Sequence, residues 1–294
     1  MATLNTSMQS LPGTSLGIVV DNAMDSGLLG KLAPEKPTLF GPVRGATFGT
    51  LPRVSIVGES EAKPVSDVGL TPFTAEPIKG VVQVRTSDEF LWADEDYQLG
   101  IIDDLVAPAF GAAIGRFVDL FAFHGINPAT GTVSAKATKY LSQTTKAVEV
   151  AGNPSAEVMQ AIGLAGGSTN GIAFDGGYAF SLAAQTNSDG YRLNPGLGLG
   201  NFDNYEGLRA GRSTTVSGVP EMTDTTIRAF VGNWSLVRWG FQRNFPMELI
   251  EFGDPDNTGR DLKGNNEILI RSEAVIYVAI GDLDQFAKVH DSAA

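Results

Sequence analysis

Few residues in this chain have the types and spacing that chemistry requires. Asp254, Asp256, Thr258, Gly259 and Asp261 bring together the oxygen donors of a calcium loop. Where such a loop needs a bidentate Glu the chain has Asn265, so an acidic turn is expected there. Gly196, Gly198 and Gly200 repeat the spacing of a dinucleotide loop. No buried strand precedes them, no helical pattern follows, and Pro195 stands directly before, so the expectation is a mobile glycine loop. His124 and His290 are the only histidines. Neither stands in a ligand cluster, and no Ser-His-Asp arrangement or metal site can be assembled from them. His124 ends a helical stretch, where it is expected to interact with the helix dipole. Trp92, Trp234 and Trp239 read as core or interface anchors. Arg209 and Arg212 could bind an acidic neighbour or face solvent. No cofactor and no metal are expected.

Composition points away from a solitary enzyme. Of 294 residues, 43% are hydrophobic, enough for a sizeable core, but only 18% are charged, against about 25% in typical soluble domains. A surface hidden against partners would explain the shortfall. The net charge of −12 argues against a protein that grips nucleic acid, because phosphate binding needs clustered Lys and Arg. It is compatible with a container, since an acidic wall would not stick to DNA. With no cysteine, disulfides and thiolate metal sites are excluded, which fits a reducing cytoplasm. Residues 1–9 are polar, without a signal-peptide pattern. No window holds the ~18 uninterrupted apolar residues of a membrane span.

The elements follow from periodicity. Residues 1–40 have scattered apolar residues broken by Gly and Pro; they read as a tail or as an extended arm ordered by a neighbouring chain, with Leu28, Leu29 and Leu32 as anchors. Residues 41–86 read as a long two-stranded hairpin, Arg44–Val57 against Gly69–Arg85, around a polar stretch at 58–67. Such a ribbon is marginal in water unless it lies on a surface. Thr86 and Glu89 form a capping box. Apolar residues at Leu99, Ile102, Val106, Phe110, Ala113, Phe117 and Phe121 then mark one face of a helix over 94–123, about 45 Å long. Pro108 should kink it, and His124-Gly125 should stop it. Asn153-Pro154 opens a second helix that ends at Gly166-Gly167. A short helix near 179–185 and strands at 247–252 and 267–280 complete the reading, an α+β chain without internal repeats.

A family resemblance emerges from the order of several short stretches. Glu61-Ala62-Lys63-Pro64-Val65-Ser66-Asp67 and Ser87-Asp88-Glu89-Phe90-Leu91 before the long helix are similar to the Hong Kong 97-type major capsid proteins of tailed phages. So are Asn170-Gly171-Ile172-Ala173-Phe174, Asp189-Gly190-Tyr191, Gly218-Val219-Pro220-Glu221-Met222, Val231-Gly232-Asn233-Trp234-Ser235 and Glu267-Ile268-Leu269-Ile270-Arg271-Ser272-Glu273. The matches span about residues 44–285; no single motif is specific. The resemblance implies an N-arm (1–40), an extended E-loop hairpin (41–86), and a P-domain with spine helix and closing strands (87–136 and 256–285). It further implies an A-domain (137–255) and a C-terminal tail (286–294). It implies a structural subunit, not an enzyme, that assembles into pentamers and hexamers of an icosahedral or prolate head enclosing double-stranded DNA. The shell would form in the host bacterial cytoplasm, and its partners would be portal, scaffolding and decoration proteins. No long charged helical segment precedes residue 44, so no proteolytic processing is expected.

In one branch of that family a Lys of the E-loop bonds to an Asn of a neighbouring subunit, with a Glu as proton acceptor. The resemblance maps this onto Lys63, Asn266 and Glu273, the last needing a dry pocket to take the proton. The plainer expectation is that loop and strand are structural. Leu28, Leu29, Glu59, Glu61, Lys63, Arg85, Arg209 and Arg212 are the expected intersubunit contacts. An encapsulin-like nanocompartment shares the implied fold and is disfavoured by the lack of an amphipathic first helix. A glycine-rich hydrolase is more remote, because no two carboxylates pair persuasively.

Overall fold

The computed structural model describes residues 27–48, 53–66, 69–92, 101–197, 202–243 and 247–292. The described residues open with a single-turn helix α1 (Leu28–Leu32), then strands β1 (Val43–Phe48), β2 (Leu70–Ala75) and β3 (Ile78–Ser87). The spine helix α2 (Ala107–His124) follows, then short strands β4 (Ile126–Asn127), β5 (Thr132–Val133) and β6 (Ala147–Glu149). Helix α3 (Pro154–Ala165), β7 (Gly171–Phe174), α4 (Gly176–Ala184), β8 (Asn204–Tyr205) and β9 (Leu208–Arg212) come next. The chain closes with β10 (Ile227–Gly232), β11 (Val237–Arg243), β12 (Met247–Ile250), β13 (Glu267–Ile280) and β14 (Phe286–His290).

Two sheets organise these elements. One has six strands in the order β6-β14-β10-β7-β9-β8. Helices α3 and α4 pack with it: Val158, Ala161, Tyr178 and Leu182 share a core with Ile172, Phe174, Val231 and Val289. The other sheet is built on β13, which pairs with β3 on one side and with β11 and β12 on the other. Strand β13 is mostly apolar, interrupted by Arg271, Ser272 and Glu273, and largely buried, as expected of a strand covered on both faces. Between the sheets, Phe121 and Phe123 of α2 join Trp234, Trp239, Phe230 and Phe286 in one cluster.

Local signals explain the helices. Asn153 caps α3 by accepting from the Ala156 amide, with Pro154 in the first turn. Asp175 caps α4 by accepting from the Gly177 amide. Gly125, at φ 68°, stops α2 in the left-handed conformation that glycine adopts without a Cβ penalty. The irregularity expected at Pro108 falls just ahead of it, as a wide π-type turn over Ile102–Val106 that leads into α2. Residues 94–100 of the expected helix lie outside the described residues. Residues 104–124 are long and apolar enough to cross a membrane, but over half of that window is buried in the body of the protein. The capping box at Thr86 does not form: β3 runs through Ser87, and Asp88–Trp92 is a 3-10 turn.

Four boundaries differ from the sequence reading. The hairpin pairs only β1 with β2, because β3 leaves it to zip along β13 from Ile78↔Ile276 to Ser87↔Glu267. Strands β11 and β12, expected with the residues of the six-stranded sheet, belong to the sheet of β13. Residues 286–290 are not a tail: β14 lies between β10 and β6 in the six-stranded sheet. The described part of the arm packs on its own chain. The Lys36 amide donates to Trp239 O at 2.8 Å, Trp239 Nε1 to Ala33 O at 2.9 Å, and the Tyr277 hydroxyl to Lys36 O at 2.6 Å. A Cβ at Gly240 would stand 2.5 Å from Lys36 O, so this seam requires glycine for the close approach.

Candidate assembly surface

The base of the β1–β2 hairpin is fixed and its tip is bare. Ala75 is buried with Tyr277 and Ala279 of β13, and Val43 and Phe73 pack against them. The Phe73 ring occupies the space a Cβ at Gly45 would need. Beyond the base, residues 53–66 form a ribbon held by local contacts. Ser66 Oγ donates to Arg53 O at 2.7 Å, and the Gly58 amide donates to the Glu61 carboxylate at 2.8 Å. Val54, Ile56 and Val65 are 97%, 100% and 95% exposed. Glu59, Glu61 and Lys63, three of the expected contact residues, are also exposed here. These aliphatic side chains are left bare on a segment without a core of its own.

Leu28 and Leu29 correct an expectation. Both are buried in this chain's own core, at 2% and 0% exposure, so they are not free to anchor on a neighbour. Leu28 sits over Gly211 of β9, which has no Cβ to obstruct it. The backbone amides of Leu28 and Leu29 each donate to the Asp119 carboxylate at 2.8 Å. Thr215 Oγ1 adds a third hydrogen bond at 3.1 Å. Burial pushes the Asp119 carboxyl up to about 6, against the pull of these donors and of Arg116. Thus one carboxylate on the spine helix satisfies two amides of α1 that would otherwise be orphaned. Arg116, one turn earlier, holds Glu221 through Nε and Nη2, each at 2.6 Å. It also reaches Val219 O and Thr214. That pairing holds Glu221 below the usual carboxylate range. His124 turns inward as well: Nε2 lies 3.1 and 3.0 Å from the carbonyls of Thr215 and Val216. It must therefore donate, and burial lowers its pKa. A neutral, buried imidazole replaces the dipole-facing role expected for it. Sequence reasoning passed over Asp119, although a lone acid inside Phe117-Val118-Asp119-Leu120-Phe121 was a readable signal.

Arg85 is also committed within the chain. Its guanidinium hydrogen-bonds to Asp256, to Asp254 at 3.0 Å and to Glu267 at 3.0 Å. Thr258 and the Arg260 carbonyl complete the shell. The side-chain bond to Arg85 leads in pulling the Asp256 carboxyl well down, and the one to Asp256 leads in raising Arg85. The acidic turn at 254–261 therefore wraps an internal cation. It is the acidic turn expected, but Arg85 is withdrawn from intersubunit contact. Among the described residues no group of three His, Cys, Asp or Glu side chains is placed to hold a metal ion.

The remaining site residues are dispersed. Arg212 is exposed on β9, its guanidinium stacked 4.7 Å from the Phe180 ring centroid and 5.0 Å from that of Phe202. Arg209 is exposed on the same strand. Asn266 is exposed, at φ 52°, just ahead of β13. Glu273 lies within β13 with Lys79 Nζ 2.7 Å away. Seven residues of strand separate Asn266 from Glu273, roughly 23 Å, so one chain cannot bring both to one bond. Gly198 and Gly200 of the glycine loop lie outside the described residues. Trp234 and Trp239 are core, whereas Trp92 is 75% exposed.

No family model matches the chain, and no curated protein does. Solved structures do. One from Mycobacterium phage Ogopogo aligns with a TM-score of 0.80 at 39% identity, covering 90% of this chain and 92% of that one. One from Gordonia phage Cozz aligns at 0.71 and 28% identity, covering 91% and 87%. The capsid of an empty GTA particle, computed with C5 symmetry, aligns at 0.64 over 100% of this chain and 95% of that one. Its 10% identity speaks for the fold alone. The two-sheet architecture with its protruding hairpin is thus the mixed α and β fold of capsid shell subunits. The chain belongs to the phage major capsid proteins.

Proposed function

We propose that this chain is a Hong Kong 97-type head subunit whose work is assembly rather than catalysis. Its pentamers and hexamers would close an icosahedral or prolate shell around double-stranded DNA, in the cytoplasm of the host bacterium. Portal, scaffolding and decoration proteins would be its partners. In this reading residues 43–75 are the E-loop. The sheet of β13 with α2 is the P-domain, and the six-stranded sheet with α3 and α4 is the A-domain. The observation that carries it is the ribbon at 53–66, whose Val54, Ile56 and Val65 find no cover in their own chain. Burying such side chains against identical copies lets many modest contacts sum to a closed shell. The acidic net charge of −12 suits an inner wall over which DNA must move.

Expression of the chain followed by electron microscopy and size-exclusion chromatography tests the proposal. Shell-sized particles eluting in the void volume are expected. A stable monomer at high concentration, with no particles under any assembly condition, would contradict it.

A further inference from the structure

A hollow of about 440 Å³ opens over the sheet of β13, lined by Phe40, Pro77, Lys79, Lys136, Arg243 and Val275. The strand register places its charges. Lys79 of β3 and Arg243 of β11 each stand opposite Val275 of β13, one on either side. Directly opposed residues share a face with Cβ atoms about 5 Å apart, so the two cations flank Val275 at roughly 10 Å from each other. A register shift between Phe241 and Arg243 turns Arg243 to this face, as bulges re-aim side chains. Lys136, from the loop after β5, brings a third cation. All three are exposed. Lys79 pairs with Glu273 at 2.7 Å, and among the described residues neither Lys136 nor Arg243 has an ion pair. Three positive charges less one negative leave two, in a chain of net charge −12.

We propose that this hollow binds a phosphate group, carried by a nucleic-acid backbone or as free phosphate. The site goes beyond the shell reading and does not depend on it. Like charges at this spacing lie within about one Debye length and repel; an anion seated over Val275 reverses that. The donors come from three elements and surround the seat. A tetrahedral phosphate offers acceptor oxygens in all these directions, whereas a carboxylate offers two in one plane. Arg243 supplies a two-pronged fork, and Lys79 keeps two ammonium hydrogens beyond the one given to Glu273. Val275 is buried beneath as an apolar floor, and Phe40 forms one wall.

The test is calorimetric titration of the full-length protein at low salt with inorganic phosphate, with a short DNA duplex and with acetate. Arg243→Gln and Lys136→Gln should each weaken phosphate binding about tenfold, the factor for losing one hydrogen bond to a charged group. Arg238→Gln, exposed near the other end of β11, should leave it unchanged. The same losses with the duplex assign the phosphate to nucleic acid; losses with inorganic phosphate alone assign it to the free ion, and either supports the site. Absence of binding by both, or equal weakening by Arg238→Gln, overturns it. Acetate binding as tightly as phosphate also overturns it, because the cations would then serve carboxylates. Should a variant misfold, the unmodified chain decides: millimolar phosphate must raise its melting temperature above that in chloride of equal ionic strength, and no rise overturns the site.

Discussion

Replacing Asp119 by Asn should flatten one section of the protein's stability-against-pH curve. Asp119 is fully buried, and its carboxyl is pushed up from 3.8 to about 6, desolvation outweighing three hydrogen-bond donors. In the unfolded chain it returns to about 3.9. The folded state therefore binds this proton more tightly than the unfolded state does. The stability associated with it is fully present below about pH 4 and is lost as pH rises through about 6. About two pH units at 1.36 kcal/mol each give roughly 3 kcal/mol between pH 3.5 and 7. Asn cannot titrate and lacks this dependence. Glu221, held low by its hydrogen bonds to Arg116, acts in the opposite sense, losing its contribution as pH falls. It is common to both proteins and cancels in the difference. The assay is urea unfolding of unassembled subunits at half-unit pH steps. The wild-type stability minus that of the variant should fall by up to about 3 kcal/mol across the range. A flat difference, or one that rises with pH, would refute the argument from desolvation.

Further outcomes follow from the same structure. Leu29→Ala, at a fully buried site, should destabilise the subunit by about 2–5 kcal/mol, measured by urea unfolding. Arg85→Met leaves Asp254 and Asp256 facing each other without their cation, beside Glu267, which keeps only Arg260. The melting temperature should fall, and by more at pH 7 than at pH 4, where protonation relieves the repulsion; an equal loss at both pH values would argue against charge as the cause. Deleting residues 53–66 should abolish stable particles in electron micrographs yet preserve the circular dichroism of a folded subunit. Boiled particles on a denaturing gel should give a single band near 31.0 kDa, because Glu273 already holds Lys79 at 2.7 Å; a ladder would instead revive a bond between Lys63 and Asn266.

The sequence alone determined the elements whose causes are local. The step of three and four between apolar residues marked α2, and the cap at Asn153 marked α3. The β-branched and aliphatic residues concentrated between Glu267 and Ile280 marked β13. It also marked the polar stretch at 58–67 as the turn of a ribbon that needs a surface to lie on, because the alternation in Arg44–Val57 and the polar run after it can be read within a few positions. Tertiary structure decided whatever depends on partners distant in the chain. Strand β3 reads as half of a hairpin, yet its backbone bonds to β13, nearly two hundred residues later. Arg85 reads as an intersubunit contact until the turn at 254–261 folds around it. Leu28 and Leu29 read as anchors for a neighbour until Asp119 takes their amides. Periodicity reports which face of an element is apolar. It does not report which surface covers that face, because that choice is set by the summed burial and hydrogen bonding of the whole chain.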